Sequence, residues 1–227
     1  MKLNVDQLNR EIQENAVNNP ALSLQKSYQA LEESTALGYK AGQAESFLNI
    51  GRCLIFSSRF DEAEESLLKA LDLFRGITGT ESLLGELRTL NAMGVEAFHK
   101  NDYEAALDYY FSVLTQSDQI GSTEIQSLAL NNISEIHRLL GNNEEALIFC
   151  HRAHVLLQNQ PESIYSAFTL INLGECYLKI NDFDIAEEYF SKALDVAETG
   201  GYIRIKADAL LGLGRVHISR SDYAEAE

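Results

Sequence analysis

Proline is nearly absent, with 2 residues in 227. A chain so poor in helix breakers, with 45% hydrophobic residues, reads as compact, soluble and helix-rich and not as a disordered tail. Cysteine is scarce too. Cys53, Cys150 and Cys176 are odd in number and form no C-x-x-C pair, which excludes a disulfide framework or zinc knuckle and points to a reducing cytoplasm. Basic residues are outnumbered, 18 Lys+Arg against 34 Asp+Glu, for a formal charge of -16. That excess argues against a nucleic-acid backbone as ligand. No apolar run approaches the roughly 20 residues that a membrane helix needs, and the opening MKLNVDQLNREIQENA lacks a stretch of signal-peptide length. Neither export nor membrane insertion is expected of the chain as given.

What the sequence has is an internal repeat. Gly51, Gly94, Ser134, Gly174 and Gly214 are spaced 43, 40, 40 and 40 residues apart. Twelve residues after each stands Ala63, Ala106, Ala146, Ala186 or Ala226, and nine after each stands Phe60, Tyr103, Asn143, Phe183 or Tyr223. One residue before each lies Ile50, Met93, Ile133, Leu173 or Leu213. Chance does not set that many columns in register over five copies.

Each copy reads as two amphipathic helices around a short polar turn, because apolar residues recur at helical spacing on both sides of it. Leu170, Leu173, Tyr177 and Ile180 mark one helix, and Ala186, Phe190, Ala193, Leu194 and Ala197 the next. Asp182 in the turn is placed to cap the second helix, as are Asp102, Asn142 and Asp222. Glu145 makes a capping-box variant with Asn142. Arg59 breaks the rule, and Ser58 is the substitute there. The glycine column is expected to meet the alanine column where the paired helices approach closest.

Both ends depart from the pattern. Pro20 stands 40 residues before Phe60, and Asn19-Pro20 reads as a cap followed by proline at the first helical position. The helix before it, roughly Leu3 to Val17, carries Glu11 where the glycine belongs, as a degenerate terminal unit would. The last copy stops at Ala-Glu-Ala-Glu227, which reads as a fragment of a longer protein.

Gly174, Tyr177, Ala186, Phe190 and Ala193 together resemble the tetratricopeptide repeat. The family's common period is 34 residues, and six more per unit lengthen the paired helices by about 9 Å in total. This long variety is similar to that of kinesin light chains, spindle-orientation adaptors and the regulatory regions of bacterial signalling proteins. The resemblance implies an all-α fold, a right-handed superhelix of antiparallel helix pairs. A single array over residues 1–227 would hold about five and a half repeats, the last one truncated.

It also implies a binding module whose first helices line a groove for a peptide or extended segment. The family's lining positions fall on Asn49, Arg52, Arg88, Asn91, Asn131, Asn132, Arg138, Asn172, Lys179 and Arg215. Asn49, Asn132 and Asn172 share one column, two residues before the glycine position. A carboxamide both donates and accepts, so a ladder of them suits a peptide backbone; equally, it suits bridges between neighbouring helices. Five cations on this face (Arg52, Arg88, Arg138, Lys179, Arg215) stand against Glu45, Glu135, Glu175 and Asp208. Arg138 with Glu135 and Lys179 with Glu175 are at ion-pair spacing. The family's clamp for a terminal carboxylate is not reproduced, which argues against that class of partner.

Enzyme chemistry finds no support. Cys150 and His154 are four apart on one helix, but Cys150 occupies a core column and no third ligand completes a metal set. His137 and His217 stand in a packing column, and Glu64-Glu65 and Glu187-Glu188 are adjacent and splayed. No catalytic residue, cofactor or metal is expected. The partner class is protein or peptide, with no nucleic acid. Two settings stay open: the regulatory region of a bacterial signalling protein, with a GGDEF diguanylate cyclase favoured on resemblance, or a free-standing adaptor. A third is an oligomerisation scaffold, a homodimer through the uncovered final helix.

Overall fold

The computed structural model describes residues 1–15 and 19–226. Its elements are helices: α1 (Lys2–Asn15), α2 (Pro20–Ala36), α3 (Lys40–Phe56), α4 (Phe60–Arg75), α5 (Thr80–His99), α6 (Tyr103–Ile120), α7 (Thr123–Leu139), α8 (Asn143–Leu156), α9 (Ile164–Lys179), α10 (Phe183–Gly200) and α11 (Ile203–Ala226). They fall into two compact units, Met1–Ile120 and Gly121–Glu227. In the first, three antiparallel pairs stack so that α1, α3 and α5 pack side by side. In the second, two pairs and α11 stack so that α7, α9 and α11 do the same. The expected run of the first helix to Val17, the side chains of Asp222, Tyr223 and Ala226, and all of Glu227 lie outside the described residues.

The turns explain why each pair folds back. Ser58, Asn101, Gly141 and Asn181 are left-handed, with φ of 57, 62, 81 and 62°. In each case the next residue's N–H reaches back over the helix end: Arg59 to Leu54 O, Asp102 to Ala97 O, Asn142 to His137 O and Asp182 to Tyr177 O, at 2.9 to 3.0 Å. Asn and Gly tolerate that conformation at low cost. Caps then start the second helices. Asp102 Oδ1 accepts from Ala105 N at 3.1 Å and Asp182 Oδ1 from Ile185 N at 3.3 Å, while Asn19 Oδ1 accepts from Leu22 N at 3.2 Å.

Three local expectations fail. Asn142 makes no cap hydrogen bond, because the Asn143 N–H bonds back to Gly141 O at 3.0 Å in a tighter turn. Ser58 does not replace the missing cap at Arg59; it supplies the left-handed residue, and Arg59 instead pairs with Glu62 at 2.6 Å. The turn expected at Asp222 does not form, since α11 runs unbroken to Ala226.

The glycine column meets a larger residue than expected. A Cβ on Gly51 would lie 2.6 Å from the Leu67 side chain, one on Gly94 would strike the Tyr110 ring, and one on Gly174 would lie 2.8 Å from Phe190. Leu67, Tyr110 and Phe190 stand sixteen residues after their glycines and are fully buried. Phe190 is held between Gly174 on α9 and Gly212 on α11. The alanines Ala63, Ala106, Ala146 and Ala186 are buried beside this contact at 0% exposure. At Gly214 the same position is open, with nothing within 4 Å.

This contrast is testable in one pair of variants. Gly174→Ala pushes a methyl into a buried ring and is expected to cost about 1–3 kcal/mol, with Gly174→Leu costing more. Gly214→Ala meets empty space in a helix and is expected to be neutral or to stabilise by up to ~1 kcal/mol. Urea midpoints that do not separate the two alanine variants would overturn the packing register.

Candidate functional site

The lining positions lie on the first helices of each unit, where the stacking brings residues about 40 apart into contact. In the first unit Asn49 Nδ2 donates to Asn9 Oδ1 at 3.1 Å and to Asn9 O at 3.3 Å. Asn9 Nδ2 in turn donates to Gly42 O at 3.4 Å, and Ser46 Oγ donates to both Gly42 O and Asn9 Oδ1. Asn9 and Asn49 are buried. The donors of Asn49 are therefore used to tie α3 to α1. Arg88 on α5 pairs with Glu45 on α3 in the same way. Arg52 and Asn91 are half-buried, and each has a partner of its own.

In the second unit the amides differ from one another. Asn131 is buried and donates to Thr169 Oγ1 at 2.9 Å, linking α7 to α9. Asn132 is half-buried and held by a partner. Asn172 is half-buried too, yet makes no hydrogen bond among the described residues. The charges form a ladder across the three helices. Arg138 on α7 grips Glu135 with contacts of 2.6 and 3.1 Å and lies 4.0 Å from Glu175 on α9. Glu175, with its side chain 12% exposed, also takes Arg215 of α11 in a two-pronged pair, one prong at 2.9 Å.

Arg138 and Glu135 thus pair as their spacing predicts, whereas Lys179 and Glu175 do not. Lys179 is exposed and has no ion pair among the described residues. Glu175 is held by the Arg215 guanidinium fork, whose planar geometry matches a carboxylate better than an ammonium does, with Arg138 4.0 Å away. Leu211 and Ile218, at the register of Ile171 and Leu178 one repeat earlier, flank Arg215 and are 66% and 64% exposed. The surface that remains beside the ladder is a free carboxamide, a free ammonium and two exposed aliphatic side chains.

The histidines divide. His137 stacks on Phe149 with ring centroids 5.4 Å apart, as a packing residue would. His217 is exposed among the described residues, where a packing residue was expected. Cys150 and His154 are not brought together: Cys150 faces Ser134 and Cys176, while His154 lies edge-on to Tyr189. Burial first, then the charges of His151 and Lys192, hold His154 below the usual histidine range. His151 Nε2 sits 3.0 Å from the Tyr177 hydroxyl. No group of three or more His, Cys, Asp or Glu side chains suited to a metal ion occurs among the described residues.

Sequence reasoning missed Asn9 and Thr169, which accept from the side-chain N–H groups of Asn49 and Asn131. The signal for Asn9 was present, because it stands 40 residues before Asn49 and two before Glu11, in the asparagine column itself.

With the geometry in place, known proteins supply a frame. Residues 42–115 and 126–199, about two thirds of the chain, match the tetratricopeptide repeat. The 43 kDa receptor-associated protein of the synapse from Tetronarce californica is 23% identical over 160 residues, covering 70% of this chain and 39% of that protein. The chain therefore spans about two fifths of that curated relative's length. Among solved structures, BtubC (BKLC) from P. vanneervenii is similar with a TM-score of 0.65 and 18% identity, covering 89% of each chain. The apo form of RapI is similar with a TM-score of 0.69 and 15% identity, covering 98% of this chain and 84% of that one. Both likenesses are likenesses of fold.

The two classes of amide are separable by stability. Asn49→Ala leaves Asn9 buried with less to bond to and is expected to cost about 1–3 kcal/mol. Asn172→Ala removes no internal hydrogen bond and is expected to stay within about 0.5 kcal/mol of the parent. Equilibrium urea unfolding of the two variants checks both values.

Proposed function

The chain belongs to the tetratricopeptide repeat family, and on that premise we propose that it is a non-catalytic module that holds an extended segment of another protein on the first helices of the second unit. The fold of this family is as a rule a scaffold for protein contacts and not for chemistry. The observation that carries the placement is Asn172. It occupies the column that ties helices together at Asn49, but its own amide makes no hydrogen bond among the described residues, and Leu211 on the neighbouring first helix α11 is exposed. An amide with both donor and acceptor free suits a peptide backbone, and exposed aliphatic side chains on the neighbouring first helix suit apolar side chains of the same segment. The name of the synaptic relative, a receptor-associated protein, fits a module of this kind. Three buried free thiols support a cytoplasmic setting, and a single array over residues 1–227 is part of the same reading.

Peptides selected from a displayed random library against the full chain test the proposal. Asn172→Ala combined with Leu211→Ser is expected to weaken the selected peptides at least tenfold, about 1.4 kcal/mol, while Asn49→Ala is expected to lower stability and leave affinity within a factor of about two. Unchanged affinity in the double variant would remove the groove from consideration.

The narrower setting, a regulatory region ahead of a GGDEF diguanylate cyclase, rests on the long period of the repeat and on resemblance. The reading frame beyond residue 227 decides it: a GGDEF motif there supports that setting, and its absence favours the free-standing adaptor.

A further inference from the structure

The α7–α8 pair departs from its neighbours at the column that sets helix spacing. Where a bare glycine faces Leu67, Tyr110 or Phe190 in the α3–α4, α5–α6 and α9–α10 pairs, Ser134 faces Cys150. Both members have changed together: a hydroxyl has been added on one side and a large side chain reduced to a thiol on the other. The space released is filled from the next pair. Ser134 Oγ donates to Ala146 O at 2.8 Å, lies 2.9 Å from Cys150 Sγ, and lies 3.8 Å from Cys176 Sγ on α9. The two sulfurs are 4.0 Å apart, and both cysteines are buried, at 0% and 1% exposure.

The first unit holds an oxygen version of the same contact. Cys53 has the register of Cys176, two residues after its glycine, and Ser27 has the register of Cys150. Ser27 lies close enough to Cys53 to favour its thiolate, and both residues are fully buried. One fold position is therefore occupied by Ser and Cys in one unit and by Cys and Cys in the other. Only the second can be closed covalently.

We propose that Cys150 and Cys176 are a redox pair that a peroxide-class oxidant closes to a disulfide, stapling α8 to α9 at the junction of two consecutive helix pairs. The sulfurs must close from 4.0 Å to about 2.05 Å, a shift on the scale of side-chain rotation. A hydrogen bond from the Cys150 thiol, with the Arg138 guanidinium nearby, holds Cys176 below the ordinary thiol range, while that bond and burial hold Cys150 above it. Cys176 is thus the nucleophile. Its thiolate attacks one peroxide oxygen, the O–O bond breaks, and water leaves after protonation, giving a sulfenic acid. The Cys150 sulfur then attacks that sulfur; the S–S bond forms, the S–O bond breaks, and a second water leaves. Two thiols are oxidised and one peroxide is reduced. Because both sulfurs are buried, the oxidant enters through local opening of α8 from α9.

Hydrogen peroxide treatment of the full chain, followed by unfolding, alkylation and peptide mass mapping, tests this. The expected result is a peptide pair joined through Cys150 and Cys176, a chain lighter by two hydrogens, and an alkylated Cys53. The melting temperature is expected to rise by several degrees and to return with dithiothreitol. Cys53→Ala, which keeps the pair, is expected to form the same link at the same rate. Cys150→Ser, which copies the oxygen version of the first unit, is expected to fold and form no link. Three alkylated thiols after oxidation, a link through Cys53, disulfide-bonded dimers, or accumulation of sulfinic acid at Cys176 without a link would each overturn the proposal.

Discussion

Where two helices of a pair cross, one of them is stripped to bare backbone and the other drives a large side chain into the gap. Gly51 takes Leu67, Gly94 takes Tyr110, and Gly174 takes Phe190. That single contact sets the distance between the paired axes, since helices approach as closely as the side chains between them allow. It also fixes the rotation of each helix, because only one face carries the bare position. With distance and rotation fixed, the alanines four residues before the large side chains must be small and dry, and they are. The left-handed turn residues at 58, 101, 141 and 181 then have one job, to return the chain at the right phase for the next contact.

This is why the repeat was legible in the sequence and much of the surface chemistry was not. A contact made once per pair, with the same steric demand each time, writes itself as columns of Gly, Ala and large apolar residues. Helix pairs, their boundaries near Phe60, Tyr103 and Phe183, and the packing role of His137 follow from those columns. What the columns cannot carry is a partner that differs from copy to copy. Lys179 sits four residues after Glu175, and local spacing rules join them, but Glu175 is claimed by Arg138 and Arg215 from the flanking helices. Asn142 sits where Asp102 and Asp182 cap, but a glycine before it tightens the turn. The glycine column meets the alanine twelve on, as Gly51 does Ala63 and Ser134 does Ala146, but the space that the glycine leaves is filled by the large residue sixteen on, which the columns alone did not single out.

Polar groups on the first helices follow a common economy. The buried carboxamides of Asn49 and Asn131 donate across neighbouring first helices, Arg88 and Arg215 form ion pairs across them, and Arg138 pairs with Glu135 on its own helix while lying 4.0 Å from Glu175 on the next. Such bonds add little net stability, yet a buried amide that loses its partner is costly, so the ladder penalises any stacking of pairs in a wrong order. It also consumes most of the charge that a ligand would otherwise meet. Recognition on this surface is left to shape, an aliphatic shelf and the few polar groups that the ladder does not use.

The coupled change at Ser134 and Cys150 bears on how such a chain diversifies. Duplication or exchange of whole repeats moves both halves of a spacing contact together and keeps them matched. A crossover that falls inside a repeat, between its two helices, joins a serine to a phenylalanine or a bare glycine to a thiol, and leaves either a clash or a void at the point where the pair is held. A repeat of this chain therefore keeps its spacing contact only when both of its helices move together as one hairpin.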